Sequence, residues 1–123
     1  MSIVHKFTGS DRTFSWEYVD AEVISDEGLK NITKHVVIGE KEGPPHFFMR
    51  YFHVGPYGHS RLERHPQEHE VIVLHGQGQV KIAGDTIDIS PFDVVFIEGN
   101  ELHQFLNTGE QPLGFICVIP KNA

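Results

Sequence analysis

Short apolar or alternating runs punctuated by turn residues fill the chain, the pattern of an all-β domain. Val80 and Ile82 alternate with Gln79 and Lys81, Ala83-Gly84-Asp85 turns the chain, and Ile87 and Ile89 carry the alternation onward. That spells a hairpin with one wet face. Residues 71–74 and 94–97 are apolar at both parities, so both strands are expected to be covered on two sides. Residues 107–112 (Asn-Thr-Gly-Glu-Gln-Pro) read as another hairpin loop ahead of a last core strand. Helical patterning is thin, because Gly28 interrupts the one candidate turn at residues 26–31. About ten short strands imply two packed antiparallel sheets or a closed barrel.

The 123 residues make one domain, residues 1–123, with no repeat, low-complexity tract or linker. A net charge of -7, with 10 Lys+Arg scattered along the chain, leaves no basic stripe for a phosphate backbone, so no nucleic-acid partner is expected. Residues 1–6 lack the apolar core of a secretory signal, and no apolar stretch approaches the roughly 18 residues of a membrane span. No membrane partner and a cytoplasmic location are therefore expected. The single cysteine, Cys117, lies in the apolar run 115–119 and is expected to be a small buried core residue.

Nine histidines change the picture. Glu63 and His65 are two apart, so on an extended strand they share a face, and His69 has the same parity at the head of residues 71–74. His103 stands 34 positions after His69 at the head of another apolar stretch. Pro66 restrains His65 to an extended backbone. Imidazoles with a carboxylate suit a divalent transition metal better than calcium or magnesium. Glu68 and Glu70 are rival carboxylates of the opposite parity. His5, His35, His46, His53, His59 and His75 lack comparable spacing and read as structural or solvated.

These residues carry a resemblance to a known family. Gly58 is followed by Glu63, His65, His69 and Gly76, and His103 by Asn107. The arrangement resembles the two motifs of the cupin superfamily, Gly-x5-His-x-His-x3or4-Glu-x6-Gly and Gly-x5-Pro-x-Gly-x2-His-x3-Asn. It spans about residues 49–120 and is most similar to small single-domain cupins. Glu63 stands at the family's first histidine and His69 at its glutamate, so the set of three histidines and one glutamate is permuted. Phe92, Glu98 and Asn100 replace the glycine, proline and glycine of the second motif.

The resemblance implies a single-domain cupin jelly-roll barrel of two packed antiparallel sheets. It also implies that Glu63, His65, His69 and His103 hold one divalent transition metal, Fe, Mn, Ni or Zn, in the barrel mouth. A two-histidine, one-carboxylate subset is the familiar arrangement for dioxygen activation. The first expectation is thus a metal-dependent enzyme of oxygenase type acting on a small organic molecule. A non-catalytic metal or small-ligand-binding module and a metal-dependent isomerase or lyase stay open, because the fold hosts all three. Ser60 and Ser90 lack a glycine-rich elbow, and Gly76-Gln-Gly78 is a hairpin pair rather than a dinucleotide fingerprint.

Phe105, Val71 and Val73 share the ligand-bearing parity and would make the inner wall apolar, with Phe47, Met49 and Tyr51 on another face that would join the same cavity. Gln104, Tyr51 and Arg50 are candidates for orienting a ligand or substrate. Cupins of this size resemble one another in pairing as homodimers. The N-terminal residues 1–45, with Phe14, Trp16 and Tyr18 in a β-like pattern, are expected at that interface, and folding back onto the chain's own barrel is the alternative.

Overall fold

The computed structural model describes residues 2–122 and holds nine strands and no helix among them. They are β1 (Ala21–Ile24), β2 (Lys30–Ile38), β3 (Phe47–His59), β4 (His69–His75), β5 (Gly78–Ile82), β6 (Asp85–Ile89), β7 (Val94–Ile97), β8 (His103–Leu106) and β9 (Leu113–Pro120). All pair antiparallel in one curled sheet of order β6-β5-β8-β3-β9-β4-β7, with β2 also pairing β3 and β1 pairing β2. The three-stranded part, β6-β5-β8, joins the rest through a single register pair, His59 with Leu106. Two layers thus close over one core, as the cupin barrel requires.

The core follows strand parity. Val71, Val73, Val95, Ile97, Phe115 and Cys117 point inward from β4, β7 and β9 and meet Val80, Ile89 and Phe105 from the facing layer. The hairpin expected at residues 83–85 is present between β5 and β6. Ala83 and Gly84 both have positive φ, 50° and 92°, the backbone a tight turn between twisted strands demands. No helix is long and apolar enough to cross a membrane.

Two expectations about faces are corrected. Strand β7 is not covered on both sides: Val95 and Ile97 are buried, but Val94 is 74% and Phe96 55% exposed. β7 ends the sheet, and none of the described residues covers its outer face. Phe47, Met49 and Tyr51 do not line the inner cavity either. On β3 the inward residues are Arg50, Phe52 and Val54, paired across to Cys117, Phe115 and Leu113, so the odd positions look outward.

The outward face at Tyr51 is covered by the N-terminal segment of the same chain. Phe7 and Trp16 form an antiparallel bridge, Phe14 stacks on Tyr51 at 5.7 Å and Trp16 meets it edge-on at 5.2 Å. Phe14 and Trp16 therefore satisfy their apolar surface on their own barrel, while Tyr18 stays exposed.

Candidate metal centre

His69 and His103 open strands β4 and β8, and Glu63 and His65 lie on the connection from β3 to β4. That connection is extended rather than a full strand: Glu63 makes one isolated bridge, to His103. The Glu63 amide donates to the His103 carbonyl at 3.1 Å, and the His103 amide returns the bond at 2.9 Å. Two residues on, the His65 carbonyl accepts from the Asn100 amide at 2.6 Å. Asn100 reaches it with φ +65°, and at Gly99 any Cβ would collide with the Pro66 carbonyl. Backbone contacts thus place both connecting residues before their side chains act.

The three histidines converge. One ring nitrogen from each of His65, His69 and His103 lies within 4.8 Å of the others, a group able to hold a metal ion. Their ring centroids are 4.6, 5.0 and 5.1 Å apart, with interplanar angles of 76°, 87° and 69°. The Nε2 atoms of His65 and His69 face each other at 2.9 Å.

Outer contacts select the nitrogen each ring presents. His103 Nδ1 donates to the Glu101 carbonyl at 2.8 Å, which leaves the Nε2 lone pair free. His69 Nδ1 lies 2.9 Å from Cys117 Sγ, again leaving Nε2 for the centre. His65 Nδ1 is buried and has no hydrogen-bond partner. The His69 pKa is pushed down to about 3 by burial first, and then by Arg50, His65 and His103. A neutral imidazole with its lone pair turned inward is what metal coordination needs, so the donor set fits a divalent transition ion.

Glu63 is placed differently from the histidines. Its Oε1 lies 3.9 Å from His65 Nε2, its side chain is 42% exposed, and it stands at the rim, outside the group of three. His69, His103 and Glu63 border a cavity of about 310 Å³. Phe52, Phe105 and Phe115 form its apolar wall, and Arg50 reaches into it from β3. Val71 and Val73 belong to the packed core instead.

Of the residues considered for orienting a ligand, Arg50 is at the site, with Nη2 3.5 Å from His69 Nδ1 and 3.2 Å from Cys117 Sγ. Gln104 instead donates to the Ser60 carbonyl at 2.9 Å, and Tyr51 lies on the opposite sheet face. Cys117 is buried as expected, and burial pushes its thiol pKa up. Its contact with His69 was not visible in the sequence, because it arises from a pairing of β4 with β9 that sets Cys117 opposite Val71. Asn107, the end of the second motif, serves the frame: its side-chain amide donates to the Val54, Gly55 and Gln111 carbonyls.

The remaining histidines stay out of the centre. His59 Nδ1 contacts the Ser60 carbonyl at 3.0 Å. His75 has the parity of His69, yet a register shift between Val73 and His75 turns it to the outer face. There its Nδ1 donates to the Pro112 carbonyl at 3.1 Å, and its Nε2 accepts from the Tyr51 hydroxyl.

Known proteins share this architecture. The cupin domain profile matches residues 50–119. A Rhodospirillum rubrum protein named 1-methylthio-D-xylulose 5-phosphate methylsulfurylase is 34% identical over 109 residues, 86% of this chain and 69% of that protein. A crystal structure of a cupin-2 domain protein from Rhodospirillum rubrum superposes with TM-score 0.82 at 32% identity, over 93% of this chain and 77% of that one. The polyketide cyclase RemF of Streptomyces resistomycificus superposes with TM-score 0.79 at 28% identity, over 93% and 79%. With more than half its length matched by the domain profile, and with both motifs folded around one histidine cluster, this chain belongs to the cupin family.

Proposed function

We propose that the protein is a metal-dependent cupin enzyme acting on a small organic molecule, with His65, His69, His103 and Glu63 as the ligands of one divalent transition metal. The observation that carries the reading is the convergence of three steeply inclined imidazoles beside a cavity of about 310 Å³. Iron(II), manganese(II), nickel(II) and zinc all accept imidazole nitrogen and carboxylate oxygen.

A divalent ion held there supplies Lewis acidity to a substrate oxygen. The chain's own residues supply the setting. Glu101 and Cys117 hold two of the imidazoles in orientation, the three phenylalanines keep water from the cavity wall, and Glu63 brings the one carboxylate to the rim. We place a metal-dependent isomerase or lyase first, since the relatives named above are a methylsulfurylase of a sugar phosphate and a polyketide cyclase, and neither name is that of an oxygenase.

The oxygenase reading stands second, supported by the two-histidine, one-carboxylate subset within the four ligands. Protein loaded with Mn²⁺ or Fe²⁺ and incubated without oxygen in D₂O with a panel of α-hydroxyketones separates the two. Metal-dependent loss of a carbon-bound proton, followed by NMR, is the expected result. Dioxygen uptake in step with consumption of enols or diols would instead favour the oxygenase. Inactivity in both assays with every metal would reduce the protein to a non-catalytic binding module.

We also propose a homodimer. The outer face of β7 and β3 presents Val94, Phe96, Phe47 and Met49 side by side with partly buried residues of β4 and β9, and β7 is an unpaired sheet edge. Sedimentation at micromolar concentration should give twice the chain mass, and Phe96→Glu should give the monomer. A monomeric parent protein would remove this part of the reading.

A further inference from the structure

Arg50 sits on the floor of the cavity in an unusual electrostatic position. It is half-buried on the inward face of β3, with its guanidinium 5.1 Å above the Phe52 ring. Its polar neighbours are the Cys117 thiol, a weak acceptor, and His69 Nδ1 at 3.5 Å, which carries the proton in the tautomer that leaves Nε2 free. Its Nε is buried and meets no acceptor. Among the described residues, no carboxylate comes within ion-pair distance of it.

Of the other charges lining the cavity, Arg61 is held by Asp26 at 3.5 Å and by the Glu27 carbonyl, and Glu63 lies 3.9 Å from His65. Lys34 stands across from Glu22 in the β1–β2 register without an ion pair among the described residues. Arg50 is the arginine of the cavity that has no carboxylate within ion-pair distance among the described residues.

A guanidinium is charged at every accessible pH, and a partly desolvated charge without a counter-ion is costly. A divalent cation among His65, His69 and His103 would raise that cost, since it adds positive charge on the far side of the His69 ring. An apolar residue would pack equally well against Phe52. The arrangement makes physical sense if an anion arrives with the substrate.

We infer that Arg50 is the anion anchor of the cavity, so that the substrate is a small molecule carrying a carboxylate or phosphate in addition to the oxygens it offers the metal. The fork of the guanidinium matches either group by two parallel N–H···O bonds. The aromatic rings that line the same cavity, Phe52, Phe105 and Phe115, take the carbon skeleton. This inference deepens the proposed function and rests on it for the metal, but the anion site itself is defined by Arg50.

The test uses calorimetric titration of the full chain, metal-free and again loaded with Mn²⁺. The probes are 3,4-dihydroxyphenylacetate and its amide, which share the chelating oxygens and differ only in the charge at the far end. The acid should bind about tenfold tighter than the amide, the preference expected from one charge-assisted bidentate contact. Arg50→Gln should bring the ratio close to one, and Arg50→Lys should keep part of the preference.

Inorganic phosphate that competes with the acid marks a site that also accepts phosphate, whereas absence of competition narrows the anion to carboxylate. Equal affinity for acid and amide in the parent protein would overturn the inference without any variant. The same holds if the preference persists in Arg50→Gln. Binding of both probes that Mn²⁺ leaves unstrengthened, with the preference for the acid still lost in Arg50→Gln, would uphold the anion site while removing the metal reading, so the two failures are distinguishable.

Discussion

Cys117 Sγ lies 2.9 Å from His69 Nδ1, on the edge of the ring opposite the Nε2 that faces His65. The cysteine is the only one in the chain and is buried in the core, so its sulfur is a packing atom and an orienting contact at once. Partners of this kind fix the tautomer and tilt of a ligating imidazole, and their loss typically costs about 10- to 100-fold in metal affinity. Cys117→Val removes the contact and fills the place with a slightly larger apolar side chain. Equilibrium dialysis against Mn²⁺ should show affinity about tenfold weaker, with thermal stability of the metal-free protein little changed. Undiminished affinity would make Cys117 a core residue and nothing more.

His69→Ala should abolish metal retention and His75→Ala should leave it intact. Both belong to β4, but the register shift after Val73 turns His75 away to Tyr51 on the outer face. Metal analysis of protein purified without an affinity tag reads the difference. Equal loss in both variants would show that the site is not where these three histidines converge.

Glu63 is tested by charge and by shape. Glu63→Gln keeps the size and removes the charge, so a ligating carboxylate predicts weaker retention in an unchanged fold. Glu63→His would restore the commoner ligand type of the family and raise the site charge by one, because imidazole is neutral. Metal should still bind, with the reduced state favoured in redox titration. If both variants match the parent in metal content and potential, the 42% exposed carboxylate is a rim residue and the site has three ligands.

Acid should destabilise the protein, through buried histidines of the outer face as well as through His69. Burial is the first cause that lowers the pKa of His35, His53 and His75 below the ordinary value of 6.5, and His53 also feels the other two. Below 6.5 the unfolded chain takes up protons that the folded chain refuses, so stability is full above that pH and falls as pH drops through the window beneath it. Melting temperatures across that window should decline, and His53→Gln should flatten the decline. An identical slope in the variant would place the acid sensitivity elsewhere.

Phe92 occupies the position of a motif glycine and keeps the backbone that glycine is suited to, with φ +75° and a side chain 73% exposed. A bulky residue in the left-handed region costs about 1–2 kcal/mol. Phe92→Gly should therefore raise stability by about 1 kcal/mol in denaturant titration, reduced somewhat by the added freedom of the unfolded chain. A loss of stability would mean that the Phe92 ring makes contacts whose value exceeds the strain.

Much of the fold was legible in the order of residues. Alternation at residues 79–82 and 87–89 around Ala83-Gly84 is a local property, and the hairpin appears where it was read. The histidine cluster was legible through the resemblance to the two cupin motifs, with local features in support. Pro66 and the two-residue step from Glu63 to His65 restrict a short extended segment, and His69 and His103 each begin an apolar run that must become a strand. Glu63 was read with the same parity and proved to stand at the rim, because its segment bridges to β8 at only one residue instead of forming a regular strand.

By itself the sequence determined the all-β class, the turn at residues 83–84 and the burial of Cys117, since each follows from side-chain type and spacing over a few residues, whereas the meeting of His103 with His65 and His69 was expected from the resemblance to the cupin motifs. Only the tertiary structure decided what lies behind and beside them. The shift after Val73 sends His75 to the far face, the β3–β9–β4 registers bring Arg50 and Cys117 against His69, and the edge position of β7 leaves Val94 and Phe96 bare. The physical reason is that strand parity is set within one segment. A bulge, a register or an edge is set by pairing with strands distant along the chain, and no local spacing encodes which strand that will be.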